Sequence, residues 1–391
     1  MPVTGGVSSH IDCLVEGLRS AGHETVVLTP LGLRRRFTIA PPGAVTLLTR
    51  LTRWPPVFVL VCWLARGVLF VRFALLILGA KAVINAHDVS AALAVHWWCR
   101  RRGYPLLLTV HGYLVHEAVA DSRLARGSLS AALFLREEKM AYGNPSAIIC
   151  VDERLGQHVR ALCPQPPPIT ILPNTVNLKE YRFRKDLGAA QRAELGVGEE
   201  FVILCPRRLV RKNGVDIAVR AMAGVATAIP GSHLVIAGAG QEREDLERLV
   251  AGIGLSGRVS FLGAVNHRQM PGLYCAADVV VIPSVEVDGV AEATSISALE
   301  AMACERPVVA SGLGGLAELI RPGQDGVLVP PGDPEELAGA IIRLYGDPES
   351  RVELGRNARA RVEAAFVSAE HAATVLEVYR SAIAGSGSGE N

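Results

Sequence analysis

The chain lacks most of the features that would classify it at a glance. Its eight cysteines (Cys13, Cys62, Cys99, Cys150, Cys163, Cys205, Cys275, Cys304) stand singly, with no C-x-x-C pair and no histidine at metal-ligand spacing. That excludes a disulfide scaffold and reads as buried thiols in a reducing cytoplasm. No basic and then apolar run follows Met1, so no cleavable signal is expected. A P-loop lysine motif is missing, and so is any pair of aspartates two residues apart. The expectation is therefore no metal and no cofactor. Aromatic residues make up only 5% and charged residues 20% against 50% hydrophobic, which excludes a disordered chain and a coiled coil.

An uninterrupted apolar run is missing too. The best membrane candidate, Val57 to Ile84, is cut by Arg66 and Arg72 into apolar pieces of 5 to 9 residues. A bilayer span needs about 20. The reading is a helix packed in its domain or one lying on an anionic lipid surface, helped by Arg50 and Arg53, rather than a span.

What is present is length and alternation. At 391 residues the chain exceeds one compact core and suits two domains. Strand-like runs alternate with helix-like stretches, the pattern of parallel sheets covered on both faces. Strands are expected at 24–28, 82–85, 106–110, 147–151 and 169–172, then at 202–205, 233–237, 259–262, 279–282, 307–310 and 326–329. The charged, glycine-containing stretch 181–200 reads as the linker. Domains are expected over 1–185 and 186–365, with a terminal helix over 366–384 crossing back to the first and a flexible tail over 385–391. The sequence opens in a Gly-rich turn and a helix with no strand before them, so the first sheet lacks a strand or the true start lies upstream of Met1. The formal charge of +2 conceals a division: 22 basic and 12 acidic residues fall in the first 190 positions, 18 and 26 in the remainder. A basic half could face phosphates, an anionic acceptor or a membrane surface.

Ligands of doubly wound sheets bind at the carboxyl ends of strands, which directs attention to a cleft between the two domains. Glu292 and Glu300 are the strongest local pattern, in VAEATSISALEAMA. On a helix they would lie about 12 Å apart along the axis. That is too far for the roughly 5.5 Å carboxylate pair of a retaining glycosidase. It suits two acceptors gripping separate hydroxyls of one elongated ligand. After the strand at 202–205, Arg207, Arg208, Arg211 and Lys212 stand where a diphosphate would sit. Gly5 and Gly6 at a helix start offer backbone N–H groups to a phosphate. Gly238 and Gly240 begin a dinucleotide fingerprint that Arg243 breaks, so a nicotinamide cofactor is not expected. His87 and His111 each follow a strand, where an imidazole can bond a phosphate or sugar hydroxyl or exchange a proton.

Together these residues resemble glycosyltransferase family 4, whose members are retaining, metal-independent nucleotide-sugar transferases with two Rossmann-like domains, the GT-B fold. The likeness runs through the GGV turn at Gly5, TVHG at Thr109 to Gly112 and ILPNTVN at Ile171 to Asn177. It continues through the 207–214 loop, AGAG, RVSFLG ending at Gly263, AADVVVIPS, the E-x7-E element, PVVAS and GG-x-x-E at Gly314 to Glu318. The resemblance implies an α/β, GT-B enzyme with no cofactor. Its donor would be a UDP- or GDP-hexose and its acceptor a glycan, lipid-linked or small molecule, in polysaccharide or glycolipid biosynthesis. Peripheral membrane contact is compatible, and no nucleic acid is expected as partner. By the same resemblance Gly6 approaches the donor phosphate, and Arg208 or Arg207 together with Lys212 neutralises the departing diphosphate. Glu292 holds the transferred sugar, with Thr294 and Ser295 offering backbone N–H groups beside it. Glu300 holds the ribose, and Gly263 lies near the base. His111 stands with the catalytic groups, Gly238 and Gly240 with the donor, His87 and Gly5 on the acceptor side. A phosphorylase or nucleotide-sugar hydrolase of the same fold, and a non-catalytic binding subunit, are the alternatives.

Overall fold

A computed structural model describes residues 6–29, 32–33, 55–76, 82–120, 123–291 and 293–386. The chain divides into two compact units, residues 1–173 with 369–391 and residues 174–368.

In the first unit a four-stranded parallel sheet runs in the order β3-β4-β5-β6 (Ile84–Ala86, Leu106–Val110, Ala147–Cys150, Ile169–Ile171). Every residue of β4 and β5 is buried, as expected of strands covered on both faces. Three helices of this unit start on side-chain caps. Asp88 Oδ1 accepts from Ala91 N at 2.7 Å, Ser128 Oγ from Ala131 N at 3.1 Å and Asp152 Oδ1 from Leu155 N at 2.7 Å. The expected strand at 24–28 is reduced to β1 (Leu28–Thr29), which pairs antiparallel with β2 (Gly32–Leu33) and joins no parallel sheet. The Ser368–Ser386 helix returns to this unit, where Tyr379 Oη accepts from Asn85 Nδ2 at 3.1 Å. Positions 387–391 of the expected tail lie outside the described residues.

Residues 57–75 form one unbroken helix, Pro55–Leu75. Arg66 does not interrupt it. Its guanidinium makes a two-pronged ion pair with Glu137 of the Leu129–Gly143 helix, at 2.8 and 2.7 Å. A fork matched to a carboxylate lets the charge sit against the protein in a helix whose only other charged residue is Arg72. The terminal carbonyls of Phe73, Ala74 and Leu76 accept from Arg102.

The second unit holds a six-stranded parallel sheet, β12-β11-β10-β7-β8-β9. Its strands are β7 (Phe201–Cys205), β8 (Ser232–Ala237), β9 (Val259–Gly263), β10 (Val279–Ile282), β11 (Val308–Ser311) and β12 (Val327–Val329). Alternate residues feed opposite cores. Val202, Leu204, Val280 and Ile282 pack with Leu299 and Met302, whereas Ile203, Val279 and Val281 pack with Val215, Val219 and Met222. The direction of winding reverses between β7 and β10, so a ligand crevice is dictated beyond their carboxyl ends. The stretch 181–200, expected as linker, contains the Lys185–Leu195 helix of this unit. Gly188 lies so close to Cys275 that a Cβ would meet that residue's carbonyl, which ties the helix to the domain. The chain enters the unit at Asn174 and leaves it at Ser368, and a parallel bridge between Val176 and Val367 joins the two ends.

Gly214 and Gly196 separate two consequences of adding a methyl group. Both have positive φ, +59° and +69°, but only at Gly214 would a Cβ collide with a neighbour, the Pro283 carbonyl. Gly196→Ala should cost about 1 kcal/mol from backbone conformation alone. Gly214→Ala should cost about 2–4 kcal/mol, because overpacking adds to it. Equal losses in thermal or urea unfolding would show that the Pro283 contact imposes no constraint.

Candidate active site

Arg207 and Arg208 leave the end of β7 on opposite errands. Arg207 is buried, 7% exposed. Its Nη2 donates to Asn213 Oδ1 at 2.6 Å and Ser284 Oγ at 3.0 Å, and its Nη1 to Ser295 Oγ at 3.4 Å. Asn213 Nδ2 in turn donates to the Arg208 carbonyl at 2.8 Å. One guanidinium thus joins the end of β7, the Arg211–Asn213 turn, the segment after β10 and the start of the Ile296–Ala303 helix. Arg208 is exposed, and among the described residues its side chain takes no ion-pair partner. Lys212 is half-buried in the same turn, and its carbonyl accepts from Val285 N at 2.9 Å. The strand-end loop therefore offers cations to an anion at the crevice between β7 and β10, with Arg207 as its internal brace.

Gly238 and Gly240 fit this arrangement without a dinucleotide. A Cβ on the first would strike the Arg207 carbonyl and one on the second the Leu209 carbonyl. Leu209 N donates to Ala239 O and Glu242 N to Leu209 O, both at 3.1 Å. The glycines let the turn after β8 lie against the loop that carries the arginines. Gly263 closes β9 with φ +71° and open space around it.

Glu300 lies on the Ile296–Ala303 helix and is 5% exposed. Its Oε2 accepts from Tyr274 Oη at 2.8 Å. The Tyr181 hydroxyl stands between this carboxyl and the His267 ring, 2.9 Å from Nδ1. Burial raises the Glu300 pKa to about 7, the two tyrosine hydroxyls pull it back, and Glu180 adds to the rise. Both tyrosines are held far above their ordinary range, chiefly by burial, and remain donors. Ser295 turns its hydroxyl to Arg207 and is buried, while the Thr294 carbonyl accepts from Asn174 Nδ2 at 3.0 Å. Glu292 lies outside the described residues.

In the first unit, His87 follows β3 and His111 follows β4. Their Nδ1 and Nε2 atoms share a hydrogen bond of 3.1 Å. Two further rings join them. His10, on the Gly6–Ser20 helix, has its ring centroid 4.7 Å from that of His111 and 5.0 Å from that of His371, on the terminal helix. Burial lowers His87 and His371 to about 4 and takes His111 well below its usual value, so these rings are neutral near pH 7. Thr109 Oγ1 donates to Asn85 Oδ1 at 2.9 Å, tying the two strands one turn of pleat before His87 and His111. Gly6 opens its helix, and Gly5 lies outside the described residues.

Sequence reasoning did not single out Asn213, Ser284, Tyr181, Tyr274, His10 or His371. One of them carried a signal. His10, Leu14 and Leu18 recur at helical spacing and all are buried, which marks His10 as part of the inward stripe.

Two family models match the chain. "Glycosyltransferase Family 4" covers residues 4–180 and "Glycosyl transferases group 1" covers residues 189–361. The alpha-D-kanosaminyltransferase of Streptomyces kanamyceticus is 30% identical over 72% of both chains. The D-inositol 3-phosphate glycosyltransferase of Saccharomonospora viridis is 31% identical over 74% of this chain and 68% of its own. Among solved structures, the sucrose-phosphate synthase of Thermosynechococcus elongatus superposes with a TM-score of 0.72 at 27% identity, covering 97% of this chain and 94% of that one. With these matches spanning both units, the chain belongs to glycosyltransferase family 4 and is a glycosyltransferase of the GT-B fold.

Proposed function

We infer that the enzyme moves a hexosyl group from a UDP- or GDP-sugar to an acceptor with retention of configuration. The observation that carries this reading is the division of labour between Arg207, locked inside, and Arg208, exposed beside Lys212 at the switch point of the second sheet. Two cations there would neutralise the negative charge that develops on the departing diphosphate, the largest stabilisation such a reaction needs. Glu300 would accept hydrogen bonds from the ribose and Glu292 from the transferred sugar. Gly263 would border the base, and Gly238 and Gly240 would shape the donor loop. Thr294 would offer its backbone N–H beside the sugar, and Ser295 would act through Arg207. Acceptor recognition belongs to the first unit on this reading, with His87 and Gly5 on the acceptor side; His111 would stand with the catalytic groups and Gly6 would approach the donor phosphate. Retention would be read by NMR from the anomeric configuration of the product.

A lipid surface is the second part of the proposal. Leu60, Trp63, Leu64, Val68, Val71 and Leu75 line one exposed face of the Pro55–Leu75 helix, while Phe58, Leu69 and Phe73 are buried on the other. Val57–Leu75 is long and apolar enough to cross a membrane, with only 11% of it buried. A helix with one half against the protein and the other apolar half exposed suits lying in the plane of an interface. Exposed Trp97, with Arg101 5.5 Å from its ring, adds an aromatic and cationic rim. The acceptor would then be lipid-linked or held near a membrane.

Arg208→Ala and Lys212→Ala should each lower kcat by roughly 100- to 1,000-fold, the exposed Arg208→Ala with thermal stability unchanged. Arg207→Ala should instead lose about 2–4 kcal/mol of stability by stranding Asn213, Ser284 and Ser295. Reversed effects would exchange the two arginines' roles. Donor binding should draw a proton off Glu300, because ribose hydroxyls favour the ionised carboxylate. With the free group titrating at about 7, nucleotide-sugar affinity by calorimetry should rise about tenfold from pH 6 to pH 8 and then level off. Glu300→Gln should weaken binding and remove that slope; a slope that persists in the variant would sink the ribose assignment. For the exposed helix, co-sedimentation with anionic liposomes should fall with salt and with Leu64→Asp. Absence of co-sedimentation at low salt refutes membrane docking.

A further inference from the structure

We propose that His10, His87 and His111 form a binding site for a borderline transition-metal ion, Zn2+ first, with a fourth position open to water or an anionic ligand. The three come from separate parts of the sequence: the first helix and the segments following β3 and β4. One ligand nitrogen from each lies within 4.8 Å of the others. Tetrahedral Zn2+ at the usual Zn–N length of about 2.0–2.1 Å sets its nitrogens about 3.4 Å apart. The His87–His111 edge, 3.1 Å, already has nearly that length. Closing the other edges requires ring movements of about 1 Å, within the reach of side-chain rotation, and the ion would replace the shared proton between His87 and His111.

The surroundings favour this more than a solvated histidine patch. His10 is 1% exposed and His371, packed edge-on against it, is 3% exposed. Neither ring nitrogen of His371 makes a hydrogen bond of good geometry. Donors that are all nitrogen suit Zn2+, Co2+, Ni2+ or Cu2+ and select against Mg2+ and Ca2+, which require oxygen. The Tyr379–Asn85–Thr109 chain of hydrogen bonds fixes both strands two residues before their histidines, the kind of support that keeps ligands aligned. Three protein ligands and one open position leave the ion able to take an oxygen of an anion.

The ion is not a participant in transfer on this proposal. It would occupy His111 and so inhibit, a consequence that rests on the role given to His111 above. The test uses the untagged full chain and two metals alone. Co2+ should develop the intense visible absorption of a four-coordinate centre at one equivalent, and Zn2+ should displace it. His10→Ala and His87→Ala should each weaken Zn2+ binding on the order of 100-fold in a chelator competition, whereas His23→Ala, at an exposed position, should leave it unchanged. Only the faint spectrum of hexa-aqua Co2+ in the wild-type chain overturns the proposal, whatever the variants' stability. So does tight binding that survives both variants. Saturable binding without inhibition of transfer upholds the site and refutes instead the place of His111 at the reacting groups.

Discussion

The second unit depends on one buried guanidinium. Arg207 carries a full charge into a region 7% exposed and is tolerated there because Asn213, Ser284 and Ser295 accept from it. A buried charge without such partners would cost several kcal/mol, so these four side chains stand or fall together. They come from the ends of β7 and β10, the turn between them and the start of the Ile296–Ala303 helix. The brace therefore holds the rim of the crevice where the sheet's winding reverses. Gly238 and Gly240 press on the same loop from the β8 side, with backbone contact that admits no Cβ. Held from both sides, Arg208 and Lys212 project from a backbone that would have little freedom to yield to the anion proposed above. Preorganisation of this kind is what makes a cation effective in stabilising charge that develops during reaction.

The two units solve the placing of polar groups in opposite ways. In the second, charge is retained: Arg207 is ionised, and Glu300, pushed to about 7 by burial, is balanced between two forms by tyrosine hydroxyls. In the first, burial has removed the charge, and His87, His111 and His371 stand as neutral rings beside His10. A neutral imidazole can donate at one nitrogen and accept at the other. A cluster of them can therefore bond hydroxyls or offer lone pairs to a cation, and it repels neither sign of charge strongly. On the two proposals made above, the same neutral shell would serve sugar hydroxyls and a Zn2+ ion alike.

The strands were legible because their signal is local. Runs such as Leu106–Val110 and Val279–Ile282 are wholly apolar and bounded by turn residues, and the structure returns these two with the bounds read from sequence. The weaker strand at 24–28 was overestimated, since only Leu28 and Thr29 found a partner. The stretch 181–200 read as a linker from its charge and glycines. Composition does not reveal that Gly188 is a close approach to Cys275 rather than a flexible joint. At the site, residue types at strand ends pointed to the arginine loop and to Glu300. Which arginine faces inward was not legible, because the deciding partners Ser284 and Ser295 lie 77 and 88 positions away. Separation in sequence likewise hid Tyr274 from Glu300, 26 positions apart, and His371 from His10, near opposite ends of the chain.

The Pro55–Leu75 helix shows why charge position outweighs charge count. Arg66 and Arg72 interrupt the apolar run in sequence, yet a helix has sides. Arg66 turns toward Glu137, and its charge is cancelled within the unit. Arg102 behaves differently: it donates to main-chain carbonyls at the helix end, so only partial charges oppose it and most of its field survives. It is the last of three consecutive arginines, and Arg101 stacks on the half-exposed Trp97. The basic surplus of the first 190 residues is thus partly concentrated at one end of the exposed apolar face. On the proposed membrane reading this is the useful distribution. Uncompensated cations beside an apolar helix attract anionic headgroups from a distance, and the apolar face supplies short-range adhesion once the surface is reached.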